Sequence, residues 1–273
     1  MHYVMSIKKF LYADMSWPEV KDAVKEERVP LIPVGSTEQH GPHLPLKTDA
    51  FLAYKVCEAA ASKIPDEALV MPPVSYGYNE HHLDFPATIH IDYETLIKFV
   101  IDIGKSLAYH GFKRIIIVNG HGSNTALMEI AARRITLETQ AICASTMFIS
   151  LAPEAFKLLK GEICHADDLE TSLMLYLAPE NVDMSKAVRD FNIEKSKFIK
   201  LGAEPGETSF GVSSGSVQFM DWWSRMSTTG IIGDPTKADR ERGKKMFELY
   251  VNKLVEFIKE FRVREIKPRV DYH

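Results

Sequence analysis

The chain has 273 residues, 45% of them apolar and 26% charged, which is the balance of a soluble globular protein with material for one large domain or two small ones. Its formal net charge of −4 leaves no basic surplus for nucleic acid. There is no run of about 18 apolar residues for a membrane span, and Met1 to Phe10 lacks the apolar core of a signal peptide. Cys57, Cys143 and Cys164 are odd in number, far apart and form no CxxC pair, so reduced thiols in the cytoplasm are expected.

In chain order, Pro18 to Glu27 reads as a short helix with proline near its start. Val29 to Val34 reads as a buried strand, and its two prolines leave an edge or irregular strand open as the alternative. Thr48 or Asp49 is placed to cap a helix reaching about Lys63. Ala68 to Met71 is a short strand, followed by a long polar and aromatic loop from Pro72 to about Ile91. Asp92 is an N-cap for a helix to about His110, with Gly111 as its stop. Arg114 to Val118 is a β-branched strand, and a helix follows to about Glu138. Ala141 to Ile149 completes the strands, and His165 to Leu177 and Lys237 to Phe261 read as helices. This alternation describes an α/β sheet covered on both faces, where ligands gather at the carboxyl ends of the strands.

The segment Glu38-Gln39-His40-Gly41-Pro42-His43-Leu44-Pro45-Leu46-Lys47-Thr48-Asp49 carries the densest chemistry. Carboxylates and imidazoles held by a stiff turn at a strand end suit a divalent metal. In extended chain, residues two apart face the same way, so Glu38 and His40 can converge, and Asp49 can return to them from the next helix. His121, between Gly120 and Gly122, follows the second strong strand. Glycines there allow a ligand or metal close to the backbone. Ser123 does not fit the G-x-S-x-G nucleophile pattern, because Thr125 stands where its last glycine belongs. Glu170 enters an otherwise apolar helix, which is costly unless the carboxylate is paired or metal-bound. The loop from Tyr76 to Thr88, with His81 and His82, and the pair Trp222-Trp223 read either as substrate contacts or as simple packing.

Taken together and in order, these segments resemble the creatininase family of metal-dependent amidohydrolases. The resemblance rests on Gly35 to Leu46 with Asp49, on Phe85-Pro86-Ala87-Thr88, on Val118 to Asn124, on His165 to Ser172, and on Gly230 to Pro235. It implies a single domain over 1–273 with a three-layer α/β/α sandwich and a mostly parallel sheet. It also implies two divalent ions (zinc, manganese or iron) and a homo-oligomer, commonly a hexamer. Carried over residue by residue, Glu38, His40, Asp49 and His121 match metal ligands, with Asp49 bridging. His165 matches an acid-base group near the substrate, and Glu170 matches the carboxylate of a His-Ala-Gly-x-x-Glu-Thr-Ser pattern.

The departures point away from creatinine itself. Creatininase proper has Tyr and a metal-binding Glu after the histidine that matches His121, where this chain has Gly122 and Ser123. Glu170 is therefore expected to replace that ligand. A substrate-stacking Trp of creatininase proper is Gly161 here, and Phe-Pro-Gly-Thr reads Phe-Pro-Ala-Thr. The expected reaction is hydrolysis of a C–N bond in a small cyclic or formamide-type substrate by water activated between two ions. His165 and Glu170 are the catalytic pair, and His82, Gly122, Ser123 and Trp222 the substrate contacts. Opening of a cyclic diketone by C–C cleavage is the enzymatic alternative, and a non-catalytic metal protein the lower one.

Overall fold

The computed structural model of the protein describes residues 8–192, 196–199, 202, 217 and 219–273, so most of the Met1–Phe10 segment lies outside the described residues. A four-stranded sheet in the order β2-β1-β3-β4 forms its frame. The strands are β1 (Val29–Val34), β2 (Ala68–Val70), β3 (Arg114–Asn119) and β4 (Ile142–Met147), and every pairing is parallel. The helices are α1 (Trp17–Lys25), α2 (Thr48–Lys63), α3 (Tyr93–Tyr109), α4 (Thr125–Glu138), α5 (Asp168–Leu177), α6 (Trp223–Met226) and α7 (Arg240–Val263).

Successive strand side chains point to opposite faces, and each face is packed. Val29, Leu31, Ile116 and Val118 share a core with α2, α5 and α7, whereas Ile32, Val34, Ile115 and Ile117 share one with α1, α3 and α4. The architecture is therefore a three-layer α/β/α sandwich, as expected.

β1 is buried along its whole length, as expected, and lies in the interior of the sheet rather than at the edge its prolines left open. The offset of its two neighbours explains why its prolines are tolerated. Pairing with β2 runs from Val29↔Ala68 to Leu31↔Val70, and pairing with β3 from Leu31↔Ile116 to Val34↔Asn119. Pro30 precedes the β3 ladder and Pro33 follows the β2 ladder, so neither need supply a ladder N–H.

Other boundaries move for local reasons. Asp92 caps α3 by accepting from the backbone N–H groups of Glu94 and Thr95, and Gly111 ends it at φ +104°. Lys47, rather than Thr48 or Asp49, occupies the cap position of α2. The Thr48 hydroxyl donates to Pro45 O instead, and Asp49 lies inside the first turn. α5 begins at Asp168, capped by Asp167, not at His165. His165 is held outside it by reciprocal backbone bonds with Ile232, of 2.9 and 3.0 Å.

Candidate metal centre

The carboxyl ends of β1 and β3 lie side by side, and α2 starts directly against them. A Cβ on Gly35 would run into the backbone of Asp49 and Ala50, and one on Gly120 into Asp49 O. These two glycines let the first turn of α2 approach the strand ends, which turns Asp49 inward to 2% exposure. Glu38 and His40, on the connector leaving β1, are both fully buried beside it. His121 arrives from the end of β3, its backbone N–H held by the Asn119 side chain at 3.1 Å.

His40 Nε2 is 3.1 Å from Asp49 Oδ1 and 3.8 Å from Glu170 Oε2. His121 Nδ1 is 3.0 Å from Asp49 Oδ2 and 3.3 Å from Glu38 Oε2. Three groups of side chains bring their ligand atoms within 4.8 Å of one another: Glu38, Asp49 and His121; His40, Asp49 and Glu170; and Glu38, His40 and His165. Each could hold a cation. His43, the second imidazole of the connector, turns away and meets Thr171 Oγ1 through Nε2 at 2.9 Å.

The donor chemistry fits a cation. His121 Nε2 is 3.1 Å from the Tyr78 carbonyl and His40 Nδ1 is 3.2 Å from the Glu38 carbonyl. A ring nitrogen at that distance from a carbonyl carries the hydrogen, so the other nitrogen of each ring is bare when the ring is neutral. Those bare nitrogens face carboxylates, and only a cation or an added proton relieves that opposition. Anchoring a ligating imidazole through its far nitrogen is the usual support of a metal site. Glu38 Oε1 and Asp49 Oδ2 are buried without a hydrogen-bond partner, which also marks a place for a cation.

The electrostatics agree. Burial raises Glu38 to about 7, partly offset by His121. Burial raises Glu170 to about 7 as well, offset by His40. Burial works against charge on His40, yet the carboxylates of Asp49 and Glu170 lift it to about 10. Burial likewise opposes His121, and Glu38 and Asp49 lift it to about 9. Burial would raise Asp49, but His40 and His121 hold its carboxyl well below the usual range. Burial and the neighbouring His165 push His82 well below its ordinary value, and burial and His40 do the same to His165.

A pocket opens beside the cluster, lined by Asp49, His82, His121, Gly122, Ser123, His165, Glu170 and Trp223 among others. It brings together most of the residues singled out from sequence; Glu38 and His40 lie in the cluster rather than in the lining, and Trp222 lies apart. Trp222 is 38% exposed and is not part of this lining, whereas Trp223 is buried and stacks on His82 at 4.3 Å between ring centroids. Trp223 Nε1 donates to Gly230 O at 2.9 Å, which locks the indole in place. The doublet itself carried no signal to tell the two apart. His81, in the loop singled out with His82, meets Ser123 Oγ through Nε2 at 3.0 Å, whereas sequence reasoning passed over Gln39, although its place between Glu38 and His40 marked it.

A parallel α/β sheet with a buried carboxylate–imidazole cluster at its carboxyl end defines an α/β protein built around a candidate metal centre. More narrowly, the chain belongs to the creatininase family of metal-dependent hydrolases, whose model, described as creatinine amidohydrolase, matches residues 13–258. The chain is 34% identical over 233 residues to a mycofactocin precursor peptide peptidase of Mycolicibacterium smegmatis, covering 84% of this chain and 83% of that one. It is 27% identical over 270 residues to a 3-dehydro-scyllo-inosose hydrolase of Thermotoga maritima, covering 91% and 83%. A solved manganese creatininase superposes with a TM-score of 0.76 at 27% identity, covering 93% of this chain and 99% of that one.

Proposed function

We propose that this chain hydrolyses a C–N amide bond in a small, cyclic or formamide-type substrate, working as one domain over 1–273. One observation carries the reading: Asp49 belongs to two candidate ligand groups at once, one with Glu38 and His121, the other with His40 and Glu170. A carboxylate with two oxygens and a ligand group on either side suits two neighbouring divalent ions, either zinc, manganese or iron. Bound there, they would supply an acidified water and a Lewis acid for the substrate carbonyl.

The remaining residues are assigned to substrate and protons. His165 lines the pocket beside the cluster and can take a proton at Nδ1 and return it to a leaving nitrogen. Glu170 is the second acid-base candidate as well as a ligand, with Ala166 N–H holding its Oε2 at 2.7 Å. Gly122 and Ser123 offer small polar contacts on the rim, and the aromatic wall is His82 with Trp223 in place of Trp222.

The test is turnover of a panel of cyclic amides and formamides before and after chelation. Amide hydrolysis that disappears with metal and returns with zinc or manganese is expected. Turnover that persists in protein shown by elemental analysis to hold no metal would sink the scheme. Including cyclic 1,3-diketones separates C–C cleavage, which the Thermotoga maritima relative's name brings into play. We also infer a cytoplasmic homo-hexamer acting on a small molecule; native mass spectrometry reads the subunit count. Among the described residues, no helix is long and apolar enough to cross a membrane.

A further inference from the structure

Gln39 is buried at the centre of a hydrogen-bond network that reaches three separate segments of the chain. Its Nε2 is 3.0 Å from His82 Nδ1, 3.0 Å from His165 Nε2 and 3.0 Å from Gly230 O. Its Oε1 accepts from Gly41 N at 2.9 Å, which fixes which end of the amide is oxygen. Its backbone carbonyl lies 2.8 Å from His165 Nε2.

Counting hydrogens resolves the network. A bare His165 Nε2 would set its lone pair against a carbonyl oxygen at 2.8 Å, so this nitrogen carries a hydrogen and donates to Gln39 O. It then cannot accept from the Gln39 amide. The two amide hydrogens are left with two acceptors, Gly230 O and His82 Nδ1. His82 Nδ1 is therefore bare, and its hydrogen sits on Nε2, 3.7 Å from Glu38 Oε1. His165 has the opposite arrangement, with bare Nδ1 also 3.7 Å from Glu38 Oε1.

We infer that Gln39 is a positioning residue that sets opposite tautomers on adjacent histidines, His165 offering a bare nitrogen to the carboxylate cluster and His82 offering an N–H donor. The rings lie 4.8 Å apart between centroids and face one carboxylate oxygen. Their division of labour thus comes from one neutral amide and its own carbonyl, not from separate surroundings. A proton can be accepted at His165 Nδ1 while His82 Nε2–H stays available to a substrate oxygen. The assignment deepens the hydrolase reading in its mechanistic use, but the tautomers stand on the hydrogen-bond network alone and are measured without any substrate.

The experiment uses the full chain loaded with zinc and labelled with nitrogen-15 in histidine, observed by long-range proton–nitrogen correlation. In the wild type, His82 should show a bare Nδ1 and a protonated Nε2, and His165 the reverse. Gln39→Met removes the amide donors and keeps the backbone carbonyl. It should shift the nitrogen-15 resonance of the bare His82 Nδ1, which loses its donor, and leave that of His165 unchanged. Gln39→Glu has no N–H to give, so His82 should become protonated at Nδ1. A wild-type His82 protonated at Nδ1 would overturn the inference, even if neither variant folds. So would loss of zinc from Gln39→Met with the His82 signature unchanged, because that outcome makes Gln39 a scaffold only.

Discussion

Glu38 and Glu170 face the same cluster, and burial raises both to about 7, yet they are held in different ways. Glu38 is fully enclosed on the connector after β1, with Ser36 Oγ donating to one oxygen at 2.8 Å and the other left without a partner. Ser36 is itself held by Asn79 Nδ2 at 2.5 Å. Glu170 stands in the first turn of α5, its side chain 17% exposed and one oxygen bound to the Ala166 N–H. A carboxylate with an uncompensated buried oxygen depends on a cation; one that keeps a backbone donor and some solvent does not depend on it to the same degree. The β1 connector thus supplies the enclosed, cation-dependent carboxylate of the site, and the α5 turn the partly solvated, backbone-held one.

The hardest blow to both sides is loss of the residue they share. Asp49→Ala should cost turnover about 10³-fold or more, the upper end of what a single electrostatic group supplies, and should not be rescued by added metal. Zinc content and kcat check this. The comparison itself breaks if Glu170→Gln lowers zinc content as much as Glu38→Gln; the expected order is a much larger loss for Glu38→Gln, measured by competition with a chromogenic chelator. Ser36→Ala sharpens it further, since removal of an outer partner of a ligand typically weakens binding about 10–100-fold.

Proton binding gives a milder test. In metal-free protein Glu38 and Glu170 titrate near 7 instead of 4.5, and His40 and His121 near 10 and 9 instead of 6.5. All four values lie above those of the unfolded chain, so the fold holds the extra protons and loses stability as pH rises. Between 4.5 and 6.5 the loss is opposed by His43, His81, His82 and His165, which burial pushes below 6.5 and which cost less to bury as they lose their protons; above 6.5 that opposition ends and the loss runs to near 10. Asp49 shifts the other way, but below its ordinary 3.8 and so outside this range. Metal-free protein should melt at a lower temperature at pH 9 than at pH 6, and zinc should reduce the difference. Scanning calorimetry with and without chelator reads it.

The smallest effect concerns the supports of the two carboxylates. Ala87 and Ala166 sit at φ +68° and +52°, where a side chain is strained. Ala87 precedes Thr88, whose hydroxyl accepts from Gln39 N at 3.1 Å beside Glu38, and Ala166 holds Glu170 directly. Ala87→Gly and Ala166→Gly should each stabilise the fold by about 0.5–1 kcal/mol, strain relief outweighing the added chain entropy. Chemical denaturation measures it.

Much of this was legible before the structure. The β-branched run of β3, the Asp92 cap and the Gly111 stop are local signals, and local backbone chemistry obeyed them. The connector from Glu38 to Asp49 announced a metal site because its residue types have few other uses together. The interior place of β1 was not legible, since two prolines argue for an edge and only the offset of both neighbours removes the objection. Nor was Trp223 separable from Trp222, because the choice depends on a carbonyl at Gly230 that the local sequence does not place.

What the sequence determined by itself was therefore the order of elements, their periodicity and the inventory of ligand-bearing side chains, all of which follow from neighbours along the chain. Tertiary structure alone decided which atoms meet. Gly35 and Gly120 let α2 close on the strand ends and put Asp49 between His40 and His121. A buried amide from one connector meets histidines from two others, and a hydrogen bond's direction exists only once both partners are in place.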